Sequence, residues 1–162
     1  MPVLFQYAHK ISPELITVLL AALPVSELRG AIPYAMTVGG MGWQKAFALS
    51  VVGNFLPVVP ILLLLESVSN WLRRYRLWDR FFTWLFERTR RRGRLVERFE
   101  AAGLVLFVAV PLPVTGAWTG CIAAFIFKIP LKLALPAILC GILIAGTVVT
   151  LASLGMITVW AI

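Results

Sequence analysis

Charged residues leave three long apolar runs in this chain, at 46–65, 101–127 and 133–162, and two short ones at 15–26 and 30–44. A helix needs about 20 apolar residues to cross the hydrocarbon of a bilayer, so the first three are long enough and the last two are not. The opening apolar piece, 15–23, would reach only about 14 Å as a helix, roughly half a bilayer core. It then meets Pro24-Val25-Ser26-Glu27-Leu28-Arg29-Gly30-Ala31-Ile32-Pro33. Two prolines bracketing Ser, Glu, Arg and Gly predict a break in the helix. A second short piece, 34–38, runs into Gly39-Gly40-Met41-Gly42, a turn signal. Two half-length pieces around a polar break predict a re-entrant hairpin, a form tolerated at depth only inside protein or beside a wet cavity. The run 46–65 follows as a full span, kinked by Pro57 and Pro60 and carrying Asn54.

The second half repeats that order. A half-length run, 101–110, is followed by Pro111-Leu112-Pro113-Val114-Thr115-Gly116-Ala117-Trp118-Thr119-Gly120, a short return to Phe127, and a long uncharged helix from Leu133. An offset of 87 places Pro24 on Pro111 and Lys45 on Lys132. The expected organisation is a first repeat at 1–66, a linking segment at 67–100 and a second repeat at 101–162. A dipping hairpin crosses zero times and a helix once, so two such halves in tandem have opposite orientations, an inverted repeat. If 15–38 and 101–127 instead cross as broken helices, the repeats are parallel.

Composition moves this pattern into the membrane. Hydrophobic residues make up 60% and charged residues 14%, with mean hydropathy +0.92, well below the roughly 25% charge of soluble domains. Ten arginines against three acids lie between Arg73 and Arg98, nearly all of the net charge of +8. Basic residues beside spanning segments stay inside, so 67–100 is expected to be cytoplasmic, on the inner membrane of a prokaryote. Trp71, Tyr75, Trp78, Phe82 and Leu85 recur at spacings of four and three, one apolar helix face with arginines turned away, which predicts an interfacial helix on anionic lipid. That interleaving favours membrane lipids over nucleic acid as partner. Residues 1–10 lack the pattern of a cleavable signal peptide. Cys121 and Cys140 have no CxxC spacing and no partner histidines, so they are expected in the core; no metal or other cofactor is expected.

The chemistry concentrates at the two breaks. Glu27 and Arg29 are the only charges between Glu14 and Lys45. Either at mid-bilayer costs about 2.5–3.5 kcal/mol, so each needs a partner or water. They pair structurally or they form a substrate and proton site together with Ser26. A turn or helix start would bring them closer than an extended chain does. Glu27 is the candidate proton carrier, since burial favours its protonated form while Arg29 opposes it; Arg29 offers a planar fork for phosphate or carboxylate. Pro24, Gly30 and Pro33 would shape the first break, and Pro111, Pro113, Gly116 and Gly120 the second. Thr115, Trp118 and Thr119 would line it with two hydroxyls and an indole N–H, or the small residues there simply pack helices. Asn54 reads as an interhelical hydrogen bond or a supporting site residue. No Ser/His/Asp set, phosphate loop or HExxH occurs, so no catalytic residue and no enzyme activity are expected.

The segment Glu27-Leu28-Arg29-Gly30-Ala31-Ile32-Pro33 and the segment from Pro111 to Gly120 resemble the two signature segments of the small multidrug export protein family, over essentially the whole chain. That family is a distant relative of the DedA/VTT membrane proteins. The resemblance implies paired re-entrant hairpins and a role in moving lipids, such as polyprenyl phosphate carriers, or in proton-linked drug tolerance. The chain is thus expected to be an all-α integral membrane protein, an inverted repeat of re-entrant helical hairpin plus transmembrane helix, with a basic cytoplasmic amphipathic helix between. Its expected work is transport of an anionic phosphate lipid, probed against two rivals: export of small hydrophobic cations drawn to Glu27 and Trp118, and a non-transporting scaffold that binds lipid. The two hairpin tips are expected to meet near the midplane. A homodimer packed through Gly141, Ala145 and Gly146 is a further expectation.

Overall fold

The computed structural model describes residues 12–72, 83, 87, 94–110 and 115–160. All regular structure among them is helical: α1 (Pro13–Ala22), α2 (Glu27–Thr37), α3 (Trp43–Phe55), α4 (Val58–Leu72), α5 (Arg94–Ala109), α6 (Ala117–Ile126) and α7 (Leu131–Trp160). The expected interfacial helix lies mostly outside the described residues, as do Pro111 and Pro113; of that helix Thr83 and Glu87 are helical and exposed. Packing divides the chain into two compact units, one of residues up to Asn54 together with those from Gly146 onward, the other from Phe55 to Ala145.

In the first unit, Ser12 caps α1 by accepting the Leu15 N–H at 3.3 Å, and Pro13 fills a position where a missing N–H costs nothing. Residues 23–26 turn the chain, and α2 packs back against α1. Lys45 Nζ lies 2.7 Å from Glu14 Oε1, joining the start of α3 to the start of α1. Near the other end of α3, a Cβ on Gly53 would come within 2.6 Å of the Val18 carbonyl oxygen and 2.9 Å of Ala21 Cβ. The helices α1 and α3 therefore run parallel, and α2 brings the chain back to the end from which it started. Small residues make that closeness possible: Ala21, Ala31, Ala35 and Ala46 are fully buried. The second half of α7 joins this unit where Gly146 rests on Phe47 and Val51.

In the second unit, α5 is broken at Glu100 (φ 45°, ψ −116°), so its apolar part is Phe99–Ala109. Val108 sits between two glycines. A Cβ on Gly120 of α6 would meet Val108 Cγ2 at 2.6 Å, and one on Gly141 of α7 would meet Val108 Cβ at 2.5 Å. Cys121 is buried, its Sγ 3.9 Å from the Val58 carbonyl oxygen, whereas Cys140 is exposed, contrary to the core position expected for both. Of the three residues expected to pack a second copy, Gly141 rests on Val108, Gly146 on Phe47, and Ala145 is buried.

Two apolar stretches among the described residues are long enough to cross a membrane, Trp43–Leu65 with 23 residues and Leu131–Thr158 with 28. The first is α3 joined to α4 through a turn at Leu56 and Pro57, the site of the expected kink. The run 101–127 is long enough in sequence but folds as two short helices, the end of α5 and α6. Element boundaries recur at the offset of 87: α1 falls on 100–109, α2 on 114–124 beside α6, and the start of α3 on Pro130 beside the start of α7.

Candidate functional site

The expected irregular stretch from Pro24 to Pro33 is shorter than its prolines suggest. Only residues 23–26 are non-helical, and Glu27 to Thr37 form α2 with Pro33 inside it. One proline removes a single N–H, that owed to the carbonyl of Arg29, and Leu, Arg, Ala and Met around it are good helix formers. The turn is held by Ser26, whose hydroxyl donates to the Leu20 carbonyl, and by the Glu27 N–H to the Leu23 carbonyl at 3.1 Å. Ser26, expected in the substrate and proton site beside Glu27 and Arg29, thereby commits its hydroxyl proton to main chain. Gly30 fits because a Cβ there would stand 2.9 Å from Ser26 Cβ. Pro24 is exposed on the turn.

Glu27 opens α2. Its residue is 7% exposed, and its Oε2 lies 3.9 Å from Arg29 Nη2. A carboxylate at a helix N-terminus is favoured by the helix dipole. Glu27 also has φ 45°, shared among described non-glycine residues by Glu100 and Lys128, both exposed. Backbone in this region costs about 1–2 kcal/mol for an L-residue. The strained, buried acid is thus distinguished from the two strained surface residues. Arg29 is more open, its side chain 30% exposed against 10% for Glu27. The guanidinium is therefore the more accessible member of the pair.

The second set of expected residues lies at the start of α6. Gly116 precedes it at φ 151°, ψ −166°, a conformation that requires glycine. Thr115 Oγ1 donates to the Val110 carbonyl at 2.7 Å and Thr119 Oγ1 to the Gly116 carbonyl at 3.3 Å. Trp118, Thr119 and Gly120 are helical, where an irregular break was expected, and Gly120 serves the packing on Val108. Both threonine hydroxyl protons are thus spent on closing this corner. Trp118 is half-buried.

Asn54 departs from expectation in another way. It is 1% exposed, yet its Oδ1 makes no hydrogen bond in the chain, so the interhelical bond expected for it is not made by that atom. Ser50, one turn earlier and fully buried, has an unpartnered Oγ as well. Sequence reasoning passed over Ser50; the signal was its i, i+4 spacing to Asn54 inside an otherwise apolar span.

Among the described residues the structure is all-helical and holds two apolar stretches of membrane-spanning length, which together with the family found below fit a membrane-associated α-helical protein. Residues 27–148 match the model of the family described as "Putative small multi-drug export protein", and the chain belongs to that family. The match begins at Glu27 and takes in α2 to α6 and most of α7. No curated protein and no solved structure matches the chain.

Proposed function

We propose that the chain is a membrane transporter that moves an anionic phosphate lipid, with Arg29 as headgroup receptor and Glu27 as proton carrier. The observation that carries this reading is the asymmetry of the pair: a buried acid in strained backbone beside a guanidinium about one-third open, at the turn between two short helices. A headgroup phosphate arriving at Arg29 competes with Glu27 for the same fork, and Arg binds phosphate in bidentate fashion. The displaced carboxylate is then the group that takes up the proton. Release of phosphate lets Arg29 recapture Glu27 and expel the proton. One proton per headgroup is therefore the coupling this pair supports.

Two features support a re-entrant reading of each hairpin. The Glu14–Lys45 bridge joins the start of α1 to the start of α3, and the helical elements recur at an offset of 87. In the proposed arrangement the halves have opposite orientations, the arginine-rich segment 67–100 faces the cytoplasm, and Thr115, Trp118 and Thr119 serve as substrate contacts of the second half. The relation to DedA-like lipid movers implied by the sequence belongs to this same proposal.

The family description favours a second reading, export of hydrophobic cations, with Glu27 as counterion and the Trp118 ring as cation-π surface. Flux into proteoliposomes across a pH gradient separates them. Labelled phosphate lipid should move with the wild type and stop with Arg29→Gln, whereas a cationic dye pumped by the wild type and lost only in Glu27→Gln would establish the rival. Protein that moves neither cargo leaves the lipid-binding scaffold.

A further inference from the structure

Six polar or charged side chains are buried among the described residues, Thr17, Glu27, Ser50, Asn54, Thr150 and Ser153, and all six belong to the unit that holds α1, α2, most of α3 and the end of α7. Four are accounted for. Thr17, Thr150 and Ser153 each donate to the carbonyl four residues back at 2.8 Å, the ordinary way to bury a helical hydroxyl. Glu27 faces Arg29. Ser50 Oγ and Asn54 Oδ1 remain without a partner, at 0% and 1% exposure. Ser50 does not turn back to its own helix as the other three do.

The helix places these two atoms together. Residues 50 and 54 are one turn apart and share a face. On one side of that face Gly53 meets Val18 and Ala21 of α1, and on the other Phe47 and Val51 meet Gly146 of α7. Ser50 and Asn54 fall on the arc between these two contacts, both buried. Both are oxygens, and an amide oxygen can only accept. Just before Asn54, the Gly53 carbonyl would in an unbroken helix accept from residue 57, but Pro57 has no N–H. The break also leaves the negative end of the α3 dipole here. Unmatched acceptors at the C-terminal end of a half-helix are how membrane proteins hold small cations.

We propose that Ser50 Oγ and Asn54 Oδ1 are ligands of a monovalent metal cation of sodium size. The donor set contains no carboxylate, which suits a single charge; calcium and magnesium sites rely on acidic ligands. The site shares no residue with the Glu27–Arg29 pair.

The test is binding, not transport, so it stands apart from the proposed lipid activity. Full-length protein in nanodiscs is titrated with radioactive sodium, and its melting is compared in NaCl and choline chloride at equal ionic strength. Saturable binding is expected, with a melting shift of about 5 °C when sodium exceeds its dissociation constant about 100-fold. Ser50→Ala and Asn54→Leu should each weaken binding at least tenfold. Equal melting in both salts without saturable binding overturns the proposal and leaves a water between the two side chains; so does a variant that binds as the wild type does. Should Asn54→Leu fail to fold, Ser50→Ala, which removes one oxygen and little volume, decides.

Discussion

Glu27 and Arg29 face each other at 3.9 Å across the first turn of α2, the acid nearly enclosed and the guanidinium one-third open. The two form an ion pair, so removing one should harm the fold more than removing both. Arg29→Gln removes the counter-charge of a buried carboxylate; breaking a fully buried pair costs about 3–5 kcal/mol, reduced here to about 1–3 kcal/mol by the exposure of Arg29. Glu27→Gln/Arg29→Gln should recover at least half of that loss. Urea or thermal unfolding of the two single variants and the double variant gives the coupling energy directly. Additive losses would show that the two side chains act separately.

Val108 separates two glycines, and the two should respond differently to the same relief. Gly120→Ala and Gly141→Ala each push a methyl group into Val108, costing about 1–3 kcal/mol by overpacking. The Gly120 clash is with Cγ2, which Val108→Ala removes. The Gly141 clash is with Cβ itself and, at 3.0 Å, with the Val105 carbonyl oxygen, which Val108→Ala leaves in place. Melting temperatures should therefore show Gly120→Ala rescued in the double variant and Gly141→Ala not.

Proline and glycine spacing made the element order legible from sequence: short helix, turn, short helix, long apolar stretch, twice over. It overestimated the turn. Pro24 and Pro33 look like two edges of one break, but the helix resumes at Glu27 because a single interior proline removes only one hydrogen bond from α2. The same reasoning misplaced Trp118 and Thr119, which are helical. Glu27 and Arg29 stood out because charge is rare in apolar surroundings. Ser50 did not, since serine is common in helices and only burial without a partner reveals it. The packing of Gly141 on Val108 depends on contacts between distant residues, which no local pattern encodes.

Stability should fall in acid through Glu14. The hydrogen bond from Lys45 holds its carboxyl below the usual carboxylate value, helped by a main-chain bond and by the Lys45 charge. A depressed folded value means the bridge contributes above the unfolded pKa of Glu14 and loses its contribution as pH falls through the lowered folded value. Lys45→Met should thus melt below the wild type at neutral pH, and the gap should close in acid. The gap should also narrow in high salt, because both side chains are exposed. A gap that is constant with pH would assign the loss to packing of the lysine stem.

Labelling can establish whether the hairpins dip or cross. The Glu14–Lys45 bridge keeps the beginning of α1 and the beginning of α3 at one end of their unit, so a hairpin that dips leaves Gln44 on the face from which the chain entered. With opposite orientations for the two halves, Lys132 at the start of α7 belongs on the other face, with the arginines. In a Cys121→Ala/Cys140→Ala background, Gln44→Cys should react with an impermeant maleimide only from outside the cell, and Lys132→Cys only in inverted vesicles. Reaction of both from the same face would make the halves parallel. It would also remove the topological basis for a path that both halves share, leaving Glu27 and Arg29 as a structural pair of the first half.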